Sequence, residues 1–181
     1  MRLYVPATLD ELTAVVPGPT ARWDLVPRVA HAVTPQLVAA LPDADDEELE
    51  YAAFLAAADD SLALVAAGAT VPLRVVVSLE VPDDAVATGA TDHEPDGAPS
   101  RTAVVRDVPG ARVEAVHVDE PEAAHDVRAV LAAADSPHDG GSDDGEGADG
   151  EDERLADAVE RVAARDLLWY APAEIPTIPC P

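Results

Sequence analysis

Two stretches of this chain cannot belong to a packed core. Asp83 to Ser100 carries five acidic residues and Asp135 to Glu153 carries nine, and neither contains a Lys or Arg. Segments this polar bury too little apolar surface to offset the entropy of ordering them, so both are expected to be acidic, disordered loops. Whatever folds must be assembled from the three parts they separate, residues 1–82, 101–134 and 154–181. Those parts hold 144 of the 181 residues and a net charge of −11 out of −25. The acidity is concentrated where folding is least expected.

A body of that size suits one core, since single domains usually span about 100 to 200 residues, and a single α/β domain over 1–181 is the reading. The chain is 48% hydrophobic but only 3% aromatic, so Ala, Val and Leu must fill the interior. All 11 cations are Arg. Nucleic-acid binding is disfavoured, because it depends on cationic side chains displacing counterions from phosphates, and so is attachment to an anionic membrane. The amino terminus lacks the apolar run of roughly 7 to 15 residues of a secretory signal. No stretch reaches the roughly 18 apolar residues of a membrane span. Cys180 has no intrachain partner, which excludes an intrachain disulfide and fits a reducing, cytoplasmic setting.

Element signals come in order along the chain. Leu3 to Val5 reads as a strand. Thr8 and Glu11 have capping-box spacing ahead of a helix over Leu9 to Val16. Val29, His31 and Val33 alternate as a short strand would. Thr34 and Pro35 open a short helix, and Asp45 and Asp46 place negative charge at the start of a long one ending at Gly68. Its middle, Tyr51 to Ala58, is apolar almost all round, a pattern expected of a helix buried on several sides. Leu73 to Val81 and Val113 to Val118 are the strongest strands, with Thr102 to Val105 a weaker one. Two more helices are marked by Val127, Val130, Leu131 and Ala134, and by Leu155, Val159 and Val162. Leu167 to Tyr170 reads as a last strand. This order is that of an α+β ferredoxin-like sandwich with extra helices in its first crossover. A small doubly wound α/β sheet is the alternative.

Few residues carry chemistry. Gly89 and Gly97 lie in an acidic stretch and Gly140, Gly141, Gly145, Gly147 and Gly150 among aspartates that would repel a phosphate, paired Cys and HExxH are absent, and no Ser sits in a GxSxG setting. The cluster Asp143, Asp144, Glu146 and Asp149 lacks EF-hand spacing. No cofactor and no metal are expected. His117 and Asp119 alternate onto one strand face, and with Tyr4 they are the candidate catalytic residues of a small-molecule enzyme. His125 lies on the next helix, and His31 is expected buried and hydrogen-bonded. Trp169 and Tyr170 either close the core or form a binding surface.

The opening MRLYVPATLDEL, the internal HAVTPQL and DEELEYAAFLAA, and the close DLLWYAPAEIP together resemble a family of actinobacterial proteins of unknown function. The resemblance skips the acidic loops and implies a cytoplasmic setting without assigning any residue a role. With no catalytic constellation in view, the leading expectation is a non-enzymatic protein-interaction or regulatory domain, with a protein partner or a second copy as its ligand. The small-molecule enzyme is its rival, and an acidic DNA mimic is a third reading.

Overall fold

A computed structural model describes residues 1–87, 97–134 and 148–180. In chain order its elements are strand β1 (Arg2–Ala7), β2 (Arg22–Leu25), β3 (Arg28–His31), helix α1 (Pro35–Ala40), α2 (Asp46–Ala66), β4 (Val75–Glu80), β5 (Val86–Ala87), β6 (Arg101–Val104), β7 (Val108–Val118), α3 (Ala123–Ala134), α4 (Ala148–Ala163) and β8 (Leu168–Tyr170). The chain is a mixed α/β protein built on one eight-stranded sheet ordered β2-β7-β4-β1-β3-β6-β5, with β8 beside β7.

Every pairing in that sheet is antiparallel, so a doubly wound sheet, which is largely parallel, is not the fold. The ferredoxin-like order would place Val113–Val118 between the first strand and Leu73–Val81. Instead β4 itself pairs with β1 over six residues, from Arg2 opposite Glu80 to Ala7 opposite Val75, and β7 lies beyond β4. The cause lies in the first crossover, which carries strands β2 and β3 as well as helices. β3 and β4 both run antiparallel to β1 and flank it, so β3, α1–α2 and β4 make a split β-α-β unit with β1 inserted. The split unit exists, but its first strand is β3.

β1 alternates cleanly. Leu3, Val5 and Ala7 are fully buried on one face, and Tyr4 lies on the other. On the first face the main core joins these residues to Val75, Val77, Leu79, Val113, Val116 and Val118, and it takes in Trp23, Leu25 and Val86 from the outer strands. On the second face α2 presents a stripe of small residues. Leu49, Ala53, Ala57 and Val65 recur at helical spacing, with Ser61 between the last two. Ser61 is fully buried; its hydroxyl donates to the Ala7 carbonyl at 2.8 Å and accepts from the Val75 amide at 2.8 Å. One side chain thereby satisfies backbone groups at the end of β1 and the start of β4.

Local signals explain most boundaries. Asp45 and Glu48 form a reciprocal capping box at 2.9 Å in each direction, and α2 ends before Gly68, which adopts φ +122°. The Thr8–Glu11 pair completes only half of its box: the Thr8 amide donates to Glu11 at 2.9 Å, while Glu11 is drawn to Arg28 at 2.7 Å. A 3₁₀ turn, Asp10–Ala14, stands in place of the expected helix. Part of each acidic stretch, Asp83 to Ser100 and Asp135 to Glu153, belongs to the described structure. Residues 88–96 and 135–147, with His93 and His138, lie outside the described residues. The flanks of both stretches are ordered: Val86 and Ala87 pair with β6, Ser100 is buried, and α4 begins at Ala148.

Candidate functional site

Between α2 and the sheet lies a cleft of about 590 Å³. β1 contributes Arg2 and Tyr4, α2 contributes Glu47, Glu50, Tyr51 and Phe54, β4 contributes Ser78, and β7 contributes Glu114, Ala115 and His117. Asp166, Leu167 and Trp169 close it from the carboxyl-terminal side. Phe54 is the hub of its aromatic wall. Its ring stands edge-on to His117 with centroids 4.8 Å apart and to Tyr4 at 6.2 Å, and it stacks near-parallel with Tyr51 at 6.1 Å.

A break in strand register brings Glu114 into this site. β4 and β7 pair regularly from Val75–Val118 to Ser78–Ala115, but Leu79 then faces Val113, which leaves Glu114 as an extra residue. Such a bulge interrupts the alternation of faces. Val113 and Val116 go to the main core, while Glu114, Ala115 and His117 all line the cleft. Among the described residues Glu114 Oε1 is buried without a hydrogen-bonding partner, although Arg112 Nε lies 2.8 Å away as an ion-pair neighbour, and Arg112 Nη2 donates to Glu114 Oε2 at 3.3 Å.

The polar groups of the cleft are held by neighbours. The Tyr4 hydroxyl donates to Glu50 Oε2 at 3.0 Å, and Arg2 pairs with the same oxygen at 3.0 Å. Burial, reinforced by the bond to Glu50, pushes the Tyr4 phenol up to about 12, so it remains a donor at neutral pH. Burial lowers the His117 imidazole below its ordinary range, with a smaller opposing effect from the Val76 backbone, and Nδ1 is buried without a hydrogen-bonding partner among the described residues. The ring is therefore neutral at pH 7 and serves the wall as an aromatic surface. Glu47 and Asp166 make no ion pair with another described residue.

The candidates read from the sequence part company here. Tyr4 and His117 share the cleft, but Asp119 does not join them. It is 1% exposed and bound to Arg74, accepting from the Arg74 amide at 2.8 Å and from Nη2 at 2.8 Å. Arg74 Nη2 also donates to the Arg165 carbonyl at 3.0 Å. The period-two argument places His117 and Asp119 on one face, yet β7 ends at Val118, and Asp119 turns to cap the start of β4. Trp169 and Tyr170 divide as a strand requires: Trp169 lines the cleft opposite His117, and Tyr170 packs against the main core. His125 is exposed on α3. Sequence reasoning missed Glu50, Phe54 and Glu114 as site residues. Glu50 and Phe54 do lie at i, i+4 on α2 and share one helical face, Phe54 inside the segment the sequence marks as apolar and Glu50 just ahead of it.

His31 is buried and hydrogen-bonded, as expected. Nδ1 lies 2.9 Å from Ser100 Oγ, and Nε2 lies 3.1 Å from Asp60 Oδ2. The arrangement has the residue types of a hydrolytic triad, but Ser100 is 1% exposed and cannot meet a substrate carbonyl. It ties β3 and β6 to α2. Among the described residues no group of three or more His, Cys, Asp or Glu is placed to hold a metal ion, and no helix is long and apolar enough to cross a membrane.

Comparison with known proteins places this architecture. A family model described as a family of unknown function, DUF6912, matches residues 1–178. The chain belongs to DUF6912. No curated protein and no solved structure matches it. The described residues that line the cleft of this DUF6912 member all lie inside the matched span.

Proposed function

We propose that this chain is a non-enzymatic binding domain, an interaction or regulatory unit, and that the cleft between α2 and the sheet is its working surface. One observation carries the reading. The chain has six Phe, Trp and Tyr residues in all, and four of them, Tyr4, Tyr51, Phe54 and Trp169, line this one cleft. Core packing accounts for Tyr4, but not for Tyr51 and Trp169, which are 54% and 60% exposed. Large aromatic side chains left open beside a concavity are typical anchors for a ligand.

The reading is tested by titrating the full chain with neutral and charged aromatic probes, 2-phenylethanol and 2-phenylethylammonium, while following Trp169 fluorescence and backbone amide shifts. Binding should move Trp169 and the amides around Phe54 and His117, and Trp169→Ala should abolish it with the fold intact. If no probe of either kind perturbs these positions, the cleft is not a binding surface.

A small-molecule enzyme is the second reading, supported by the meeting of Tyr4 and His117 in one cleft. It has lost its third member, because Asp119 is committed to Arg74, and a phenol raised to about 12 is a weak acid at neutral pH. A reducing, cytoplasmic setting is consistent with the single exposed Cys180.

A further inference from the structure

The charges around the aromatic wall select among ligands, a selection that rests on the cleft being a binding surface. Four carboxylates line it: Glu47 and Glu50 on α2, Glu114 on the β7 bulge, and Asp166 ahead of β8. Arg2 is the one Arg or Lys among the described lining residues, and its guanidinium is engaged by Glu50. Glu114 has Arg112 outside the cleft as its neighbour. Glu47 and Asp166 are exposed, and no other described residue forms an ion pair with them.

We infer that the cleft takes an organic cation, a protonated amine or guanidinium on an apolar body, with its charge over the rings of Tyr51, Phe54 and Trp169 and within the field of Glu47, Glu50, Glu114 and Asp166. Both halves of the site favour this charge. The faces of aromatic rings carry negative quadrupole density that attracts cations, most strongly at Trp. Carboxylates beside a partly desolvated ring surface add Coulombic attraction that the same groups would lose in open water. An anion would meet four carboxylates and one Arg already paired. A neutral ligand would gain only the apolar contact. The volume, about 590 Å³, lies within the range of about 300 to 1,000 Å³ typical of small-molecule sites. His117 suits the role because burial keeps it uncharged at pH 7, so it contributes a ring and no competing positive charge. Its neighbours are the Phe54 ring and, across the strand pair, Trp169, and the charged groups that line the same cleft are Arg2, Glu47, Glu50, Glu114 and Asp166. All of these favour a cation or are neutral except Arg2, which is held by Glu50.

The test uses three probes of one shape on the full chain: 2-phenylethylammonium, 2-phenylethanol and phenylacetate. Calorimetry and Trp169 fluorescence should give an order of ammonium over alcohol over carboxylate, with the ammonium at least about tenfold tighter than the alcohol. Raising the salt from 50 to 500 mM should weaken the ammonium and leave the alcohol unchanged. Replacing the two exposed carboxylates, Glu47→Gln with Asp166→Asn, should lower the ammonium's affinity several-fold without moving the alcohol's. Because both side chains are exposed, this variant is expected to fold as the parent does, and an unchanged circular dichroism spectrum and melting point would verify it. A blocked Gly-Arg-Gly peptide run alongside separates two sources of the same chemistry. Tighter binding of the peptide points to a partner protein's arginine, and tighter binding of the free amine points to a small molecule. Equal affinity for the ammonium and the alcohol would overturn the inference while leaving the binding cleft standing. Silence from all three probes would remove both.

Discussion

At the scale of the residue, two histidines of this chain show how the same side chain is put to different uses by its surroundings. His31 is 1% exposed and held by hydrogen-bonding groups at both ring nitrogens, so it acts as a rigid link between strands and helix. His117 is packed on Phe54, and burial depresses its proton affinity. That depression has a consequence for stability. A histidine whose folded value lies below 6.5 binds fewer protons folded than unfolded as the pH drops past 6.5. Its contribution is therefore constant above that pH and is lost progressively as the pH falls toward the folded value. Urea midpoints measured from pH 7.5 to 5.5 should decline in the parent chain, and the decline should be shallower in His117→Gln. An identical slope in both would show that His117 does not titrate differently in the two states.

At the scale of the element, the distinction between what the sequence discloses and what it conceals tracks the range of the interactions involved. α2 is legible because its signals are local: Asp45 and Glu48 at capping spacing, and Gly68 at its end. Its partnering is not. An apolar circumference suggests burial on several sides, yet the buried residues are Leu49, Ala53, Ala57, Ala58, Ser61 and Val65, along one side, and Tyr51 and Leu55 stay open. β2 escapes notice because four residues, Arg22 to Leu25, offer just two turns of alternation. The β7 bulge escapes because nothing in Glu114 or its neighbours announces an extra residue; it exists only against the register of β4. Asp119 is the clearest case. Local spacing assigns it to His117, whereas a contact 45 residues away assigns it to Arg74. Through that pair it joins the start of β4 to the end of β7, and Arg74 reaches on to the Arg165 carbonyl beyond α4. Removing one member of a buried ion pair strands the other without its counter-charge, at a cost of about 3 to 5 kcal/mol. Asp119→Ala should therefore lower the unfolding free energy by about that amount in urea denaturation. A loss below about 1 kcal/mol would mean that Arg74 reaches solvent or another acceptor with ease.

At the scale of the whole molecule, charge and core are segregated along the chain, and this bears on how much of it folding requires. Residues 139–147, Asp-Gly-Gly-Ser-Asp-Asp-Gly-Glu-Gly, contain no apolar side chain, so they bring nothing to a core held together by burial of apolar surface. The packing between the helices they connect comes from Val127, Val130, Ala158 and Val162, together with Val65 of α2. Deleting 139–147 leaves Asp135 to His138 between α3 and α4, a connection of about the usual length for packed helices. It also removes four negative charges from a chain whose formal charge is −25, which relieves self-repulsion in the compact state. The deleted chain should accordingly unfold in one cooperative transition, with a midpoint equal to the parent's at high salt and equal or higher at low salt. The cleft and its ligand response should be untouched, since every described residue that lines it lies outside the deletion. Loss of cooperativity would mean that the acidic stretch takes part in the fold through its backbone. A changed ligand response with intact folding would mean that its charge reaches the cleft.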